Sequence, residues 1–340
     1  MRKKLRGDNG PVFDHATTTN TDLFDTLPDD IVLIVLCKLS STSSSPSDFI
    51  SVLLTCKRLN KLGVNPLVLK KSCKKSLAVR AKNWCDEAHR YLKLCVKAGN
   101  TEAYYTLGMI LFYCLQNRGS GASLMAKAAI RSHAPALYSL ALIQFNGSGG
   151  MKNDKDLRAG VALCCRSAYL GHVDAIRELG HCLQDGYGVR KNVTEGRRLL
   201  MQANARELSN IFRLKDRHSL DYFELFESHP VNKFLAEWFG LSVNRLDEGL
   251  RMCGYKECGR PETRMNEFRK CSGCGKVNYC SRGCQAHDWR VCHKVECAPM
   301  EEWVGHAIDD VEGDEINGVD GVGDDRTVEI RDGEVDGMQI

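Results

Sequence analysis

Apolar residues near the N-terminus recur at helical spacing. The stretch TDLFDTLPDDIVLIVLCKLS at 21–40 predicts a helix, with Thr26 as N-cap, a proline near the first turn and two carboxylates where the helix dipole favours them. Its apolar run from Ile31 to Leu39 covers more than one face, so several sides must be buried. The Ser-rich SSTSSSPS then predicts a loop, and DFISVLLTCKRLNKLGVNPLVLKK predicts a helical hairpin with a basic edge.

The middle of the chain repeats the pattern of an apolar helix followed by a Gly-rich turn. The three copies are TEAYYTLGMILFYCLQNRGSG, APALYSLALIQFNGSGGMKND and VDAIRELGHCLQDGYGVRKNV, and second helices lie between them. Gly108, Ala141 and Gly180 occupy equivalent positions, 33 and 39 residues apart, where small side chains let paired helices approach closely. The pattern predicts an α-solenoid whose extended concave face binds protein.

The flanks of these repeats differ in composition. Residues 210–250 are rich in aromatic side chains and predict a helical cap on the last repeat, formed by Phe223, Phe226, Phe234, Trp238 and Phe239. Residues 1–20 are polar, and residues 301–340 carry 14 Asp or Glu against two Arg. Both ends are therefore expected to be disordered, the second as an acidic arm.

No stretch approaches the 18 consecutive apolar residues that would span a bilayer, and no apolar segment follows the basic N-terminus. We therefore expect an intracellular protein with no membrane partner, in which the 17 cysteines stay reduced. Scattered cysteines such as Cys164, Cys165 and Cys182 then predict packing residues. Clustered cysteines predict a metal site.

One segment concentrates potential metal ligands. The series is Cys253-x4-Cys258-x12-Cys271-x2-Cys274-x5-Cys280-x3-Cys284-x8-His293-x3-Cys297. Eight ligands make two tetrahedral zinc sites, and since no position is left for water these sites are structural rather than hydrolytic. So short a segment cannot fold on its own core, so that metal binding would stabilise it. Spacing alone does not decide which pairs share a metal.

Two resemblances cover the N-terminal and middle regions. The order Leu27-Pro28-x-Asp30-Ile31-Val32, then Asp48-Phe49 and Thr55-Cys56-Lys57-Arg58-Leu59, resembles the F-box, a three-helix motif that binds a Skp-type adaptor. It departs from that family in its longer Ser-rich loop and in Leu59, where Trp is usual. The resemblance implies that Leu27, Pro28 and Ile31 contact the adaptor. Residues 85–206, especially DGYGVRKNVTEGRRLLMQA, resemble Sel-like repeats.

The cysteine-rich segment is similar to the MYND zinc finger through YCSRGCQAHDW and the closing His-x3-Cys. The resemblance implies two interleaved zinc sites: Cys253, Cys258, Cys280 and Cys284 in one, and Cys271, Cys274, His293 and Cys297 in the other. The usual spacing would place the histidine at 292, so Cys292 competes with His293 as a ligand. His287, one turn upstream, is interpreted as a surface residue.

Charge decides what this finger could bind. Residues 253–297 hold nine Lys or Arg and five Asp or Glu, so two zinc ions and seven thiolates leave a net charge of about +1. Phosphate backbones require many uncompensated cations, which argues against nucleic acid. The resemblance implies instead a groove for Pro-rich peptides lined by Gln285 and Trp289. The alternative is that Trp289 only packs over the second site.

The sequence thus predicts a mainly α-helical protein with an F-box, a Sel-like solenoid, a zinc-stabilised MYND finger and disordered termini, similar in domain order to a plant family of F-box proteins. The predicted segments are 1–20 disordered, 21–72 F-box, 80–208 solenoid, 209–250 helical cap or linker, 251–299 finger and 300–340 acidic tail. We expect a non-catalytic substrate receptor of a Skp-cullin-F-box ubiquitin ligase, with adaptor, cullin and a target protein as partners, in the nucleus or cytoplasm. A nuclear scaffold or transcriptional cofactor is the alternative, and a MYND-containing methyltransferase is disfavoured because the chain lacks space for a catalytic domain.

Overall fold

The computed structural model describes residues 26–215, 228–240 and 246–298, with no side-chain description at 210–215. These residues are mainly helical, as predicted, and the small strands lie in the cysteine-rich segment. No helix in these ranges is long and apolar enough to cross a membrane. The predicted disordered ends, together with Phe223 and Phe226, lie outside the described residues.

Four short helices form the N-terminal module around a core of Val32, Leu36, Phe49, Leu53, Leu62 and Val68. They are α1 (Asp29–Thr42), α2 (Pro46–Leu53), α3 (Lys57–Gly63) and α4 (Pro66–Lys71). The N-cap of α1 is Pro28, so the prediction of Thr26 was wrong. The carboxylates Asp29 and Asp30 consequently occupy the first turn itself, nearest the positive end of the helix dipole.

The Ser-rich stretch is not the long loop that the composition predicted. Helix α1 continues through Thr42, and three serines connect it to α2. The hydroxyls of Thr42 and Ser43 donate to carbonyls of Lys38 and Leu39 at 2.9 and 2.7 Å, and the Ser43 amide also donates to the Leu39 carbonyl at 2.9 Å, so these side chains bond back into the last turns of α1. Ser45 and Asp48 then form a capping box that starts α2. The segment after the Ser-rich stretch, which the sequence predicted to be a helical hairpin, forms the three helices α2, α3 and α4.

The solenoid consists of paired antiparallel helices. They are α5 (Asp86–Lys97), α6 (Thr101–Met109, continued by a π-helical turn at Ile110–Cys114), α7 (Arg118–Ile130), α8 (Ala134–Asn146), α9 (Leu157–Tyr169), α10 (Val173–Asp185) and α11 (Val193–Lys215), with 3-10 turns at Ala81–Asn83 and Lys152–Asp154. A Cβ on Gly108 would lie 3.0 Å from the Gly121 carbonyl, and one on Gly180 would lie 3.0 Å from that of Gly196. The predicted close approach at these two small residues is confirmed.

The N-terminal module and the solenoid share a junction built on Asn100. Its side-chain amide donates to the carbonyls of Leu69 and Ser72 at 2.9 and 2.8 Å, while its oxygen accepts from the Ala103 amide at 2.8 Å. One buried side chain thus terminates α4 and begins α6. This arrangement fixes the module against the first repeat.

Helix α12 (Pro230–Gly240) packs on the start of the solenoid, so its predicted position on the last repeat was wrong. Phe234 and Leu235 are buried in the same core as Leu92, and Phe234 meets Trp84 edge to face with centroids 5.4 Å apart. Glu237 pairs with Arg80 at 2.5 Å. Apolar periodicity shows that a helix needs a partner, but it does not show which partner it finds.

Candidate functional site

The first group of metal ligands comprises Cys253, Cys258, Cys280 and Cys284. Cys253 and Cys258 sit on either side of a turn, Cys280 follows strand β2 (Asn278–Tyr279), and Cys284 lies in the first turn of helix α13 (Arg282–Asp288). Cys280 Sγ lies 3.5 Å from Cys258 Sγ and 3.5 Å from Cys284 Sγ, and the four sulfurs fall within 4.8 Å of one another.

The second group comprises Cys271, Cys274, His293 and Cys297. The two cysteines lie in the tight turn after β1 (Arg269–Lys270), which pairs antiparallel with β2. Helix α13 continues as a π-helical segment (Trp289–His293) and then α14 (Lys294–Glu296), which deliver the other two ligands. Cys271 Sγ and Cys297 Sγ are 4.0 Å apart, and Cys274 Sγ is 3.6 Å from His293 Nε2.

The competition between neighbours at 292 and 293 has a clear geometric outcome. The structure brings His293 Nε2 into the second group, where the histidine is buried. It directs the Cys292 thiol to Asp288 instead, with Sγ donating to Oδ1 at 3.2 Å. The interleaved pairing that the MYND resemblance implied is the pairing that the fold assembles.

The chemistry of both groups fits zinc. Four ligands around a zinc ion, with Zn–S near 2.3 Å, place sulfurs roughly 3.8 Å apart, close to the observed spacings. Buried thiols gathered without a cation would be costly once ionised, whereas a bound cation stabilises thiolates. Because protein residues fill all four positions in each site, no position is left for a reactive water. Bound zinc would therefore contribute free energy of folding rather than catalysis.

A buried arginine connects the first site to the solenoid. Arg260 Nη1 donates to Cys258 Sγ at 3.4 Å, and its Nη2 donates to Ser139 Oγ of helix α8 at 2.9 Å. Ser139 Oγ also lies 3.0 Å from the hydroxyl of the buried Tyr105. Hydrogen bonds from the neighbouring cysteines, together with the Arg260 charge, lower the pKa of Cys258. The thiolates are therefore the counter-charge of a cation inside the protein.

The finger packs closely on the repeats along polar contacts as well. Arg264 donates to the carbonyls of Asn146 and Gly147 at 2.5 and 2.9 Å. The Asn146 side chain in turn donates to the Cys280 carbonyl at 2.9 Å. These contacts hold the C-terminal end of α8 against the first metal site.

Helices α10 and α11 meet the finger through charged groups. The Arg282 amide donates to the buried Glu178 at 2.9 Å. Arg290 pairs at 2.5 Å with Glu207, which also pairs with Arg177 at 2.5 Å.

His287 is buried against the solenoid. Its Nε2 lies 2.8 Å from Asp174 Oδ1, and the residue is 9% exposed, so the prediction of a surface histidine was wrong. Its partner is 113 residues away, where a local pattern carries no signal.

These contacts change the expected use of the solenoid. The finger covers the face formed by helices α8 and α10, the first helices of the second and third repeats. Arg260, Arg264 and Arg282 are the residues that sequence reasoning missed, since an arginine in a short loop or at a helix start normally signals only solvation. The covered part of this face is not available to a partner.

A third group of possible ligands, Glu102, His133 and His229, does not fit a metal. His133 Nδ1 accepts from the Ala136 amide at 3.2 Å and His229 Nδ1 from the Val231 amide at 3.3 Å. Each Nε2 therefore carries the hydrogen and donates to Glu102, at 3.2 and 3.0 Å. Although burial opposes it, these hydrogen bonds hold the pKa of Glu102 well below its ordinary value.

The predicted partner-binding residues occupy two separate surfaces. Pro28 and Ile31 are exposed and Leu27 is half-buried. Arg58 donates to the Leu27 carbonyl at 2.5 Å and pairs with Asp29 at 2.7 Å, which fixes this corner. On the finger, Gln285 is half-buried. Trp289 packs edge to face on His293, with centroids 5.8 Å apart, yet stays 40% exposed, so it both covers the second site and contacts solvent.

The N-terminal module exposes an apolar face. Ile31, Ile34 and Val35 project from one side of α1, and Ile50 and Leu54 project from α2 or its end. Ile34 is 65% and Leu54 76% exposed. Several large aliphatic side chains exposed on neighbouring helices are typical of an interaction surface.

The fold and the sites define a helical-repeat protein that carries a metal-binding finger and an N-terminal helical module with an exposed apolar face. A family model for plant tetratrico peptide repeats matches residues 74–178, and the MYND finger model matches residues 253–297. The chain is 61% identical over 319 residues to the F-box protein At5g50450 of Arabidopsis thaliana, covering 91% of this chain and 94% of the relative. It is 58% identical over 316 residues to the F-box protein At1g67340 of the same plant, covering 84% and 83%. The chain belongs to this family of plant F-box proteins.

Among solved structures, the chain is similar to a Sel1 repeat protein from Oxalobacter formigenes. That similarity has a TM-score of 0.42 and 16% identity, and it covers 53% of this chain and 52% of the other.

Proposed function

We propose that this protein is the substrate-recognition subunit of a Skp-cullin-F-box ubiquitin ligase. The observation that carries the proposal is the set of exposed aliphatic side chains on α1 and α2 in a member of the F-box family. An adaptor that covers Ile31, Ile34 and Leu54 would remove their apolar surface from water. This burial would stabilise the complex by about 25 cal/mol for each Å² covered. The chain would act by holding a target near catalytic partners and would itself catalyse no reaction.

The finger has a structural role in this proposal. It binds two zinc ions, one in each four-ligand group, and keeps the repeats in their folded arrangement. Its exposed Trp289 and neighbouring Gln285 form a second contact surface, suited to a Pro-rich peptide. We place the protein in the nucleus, the cytoplasm or both, where a ubiquitin ligase meets its targets.

The test is co-purification of adaptor and cullin with the full chain from plant cells. The double variant Ile34→Asp with Leu54→Asp should lose both partners, because it adds two charges to a surface that must be desolvated. The control Met151→Asp changes a similarly exposed apolar residue in the solenoid and should retain them. Recovery of the adaptor with the double variant at the wild-type level would contradict the proposal. Metal analysis of the purified protein should find two zinc ions per chain.

A further inference from the structure

The second helices of the first two repeats carry cations without carboxylates. Helix α7, RGSGASLMAKAAI, and helix α9, LRAGVALCCRSAY, contain no Asp or Glu. The carboxylates of the neighbouring helices that face the finger, including Glu178 and Glu207, are already bonded to its arginines. Arg118 at the start of α7 donates to the Thr263 carbonyl at 3.4 Å, whereas Lys127 and Arg166, near the ends of α7 and α9, have no such partner among the described residues.

The C-terminal ends of α7 and α9 meet at one edge of the solenoid. Ser167 Oγ in the last turn of α9 donates at 2.8 Å to the carbonyl of Ala134, the first residue of α8. The last residue of α7 is Ile130, a short turn before Ala134. Arg131 donates to the Gly99 carbonyl at 2.6 Å, which brings the end of α5 to the same edge. We call this edge the basic rim; its residues are Lys97, Lys127, Ile130, Arg166, Tyr169 and Leu170.

The basic rim exposes large apolar side chains that no contact within the fold explains. Tyr169 is 91% and Ile130 74% exposed, and both share this edge with the cations Lys127 and Arg166. Within the described ranges, Lys97, Lys127 and Arg166 form no ion pair with a carboxylate. Helices α6, α8 and α10 also begin at this edge, where the first-turn carboxylates Glu102 and Asp174 are bonded to histidines rather than to cations of the rim. The surface is complementary to an anionic partner that also offers apolar side chains.

We propose that the basic rim binds an acidic peptide segment containing aromatic or aliphatic residues. This proposal rests on the proposed function, since the segment would belong to the target protein. The finger already covers part of the face of the first helices, which leaves the edge open. A nucleic acid base could stack on Tyr169, but it would bury little of the aliphatic surface of Ile130 and Leu170. Leucine, valine or tyrosine side chains of a peptide would pack against all three residues.

The experiment measures binding of a fluorescent random glutamate–tyrosine copolymer to the zinc-loaded full chain, with polyglutamate and single-stranded RNA as comparison probes. The charge-reversal variant Lys127→Glu with Arg166→Glu should bind the copolymer at least about tenfold more weakly. The variant Ile130→Ser with Tyr169→Ser should weaken copolymer binding but leave polyglutamate binding unchanged. The matched control, Lys152→Glu with Arg158→Glu, alters equal charge at the opposite end of α9 and should bind as wild type does.

The proposal is overturned if the charge-reversal variant and the matched control bind the copolymer equally. It is also overturned if RNA binds more tightly than the copolymer, or if the serine variant retains full copolymer affinity. Thermal unfolding should show that all variants fold, because every altered side chain is exposed. Co-purification of the adaptor with the charge-reversal variant separates the two proposals, because that interaction should persist whether or not the basic rim binds peptide.

Discussion

Replacing Arg260 by methionine should loosen both the first metal site and the solenoid. The guanidinium is buried, and its hydrogen bonds reach Cys258 Sγ and Ser139 Oγ, so no water can substitute for it. A hydrogen bond to a charged group contributes about 1.5–3 kcal/mol, and breaking a buried ion pair costs about 3–5 kcal/mol. The hydroxyls of Ser139 and Tyr105 keep each other as partners, and the variant escapes the cost of burying the cation. We therefore expect a net loss of about 3 kcal/mol.

Two measurements check this expectation. Denaturant unfolding of the zinc-loaded protein gives the free energy, and competition with a chromophoric chelator should show zinc affinity reduced about 10–100-fold, as for other residues that support metal ligands. The matched control is Arg264→Met, which loses hydrogen bonds to α8 but contacts no sulfur in the first group. It should destabilise the protein without weakening zinc binding at that site. Equal zinc affinities in the two variants would refute the reasoning.

Three further predictions concern stability. Asn100→Ala should lower the free energy of unfolding by about 2–3 kcal/mol, measured by denaturant unfolding, because it removes the N-cap of α6 and the side-chain donor of the Leu69 and Ser72 carbonyls; a loss below about 0.5 kcal/mol would contradict this. Gly121→Val should cost about 3 kcal/mol or more, since its Cβ would lie 2.7 Å from the Gly108 carbonyl, whereas Gly119→Val in the same helix meets nothing within 4 Å; equal melting temperatures would sink the close-packing argument. Burial lowers the pKa of His172 below its ordinary 6.5, so the unfolded chain takes up a proton that the folded chain refuses, and stability falls as pH drops through about 6.5. His172→Asn should reduce, without abolishing, the pH dependence of the unfolding free energy of zinc-saturated protein between about pH 7.5 and 5.5, because burial also lowers the pKa values of His89, His181 and His229; an unchanged slope would exclude a contribution from His172.

The sequence shows which residues are the metal ligands of the finger, but it does not show where on the solenoid the finger packs. Cysteine spacing identified eight candidate ligands because metal geometry demands short loops, and helix pairing was visible because Gly108 and Gly180 repeat. By contrast, Arg260 and His287 gave no local signal, since their partners Ser139 and Asp174 lie more than a hundred residues away. The same limit explains α12, whose apolar face was clear and whose partner was not. The prediction of a loop at the Ser-rich stretch was wrong for another reason: Thr42 and Ser43 bond back to carbonyls of α1, and composition alone does not distinguish serines in a helix end from serines in a loop.

Helix α12 has a consequence for biosynthesis. Its Phe234 and Leu235 complete a core whose other members, such as Leu92 and Tyr105, leave the ribosome more than a hundred residues earlier. During synthesis, the apolar core of the early repeats therefore stays partly exposed until α12 has left the ribosome. A chain terminated before α12 would expose apolar surface of the early repeats, which chaperones and proteases recognise.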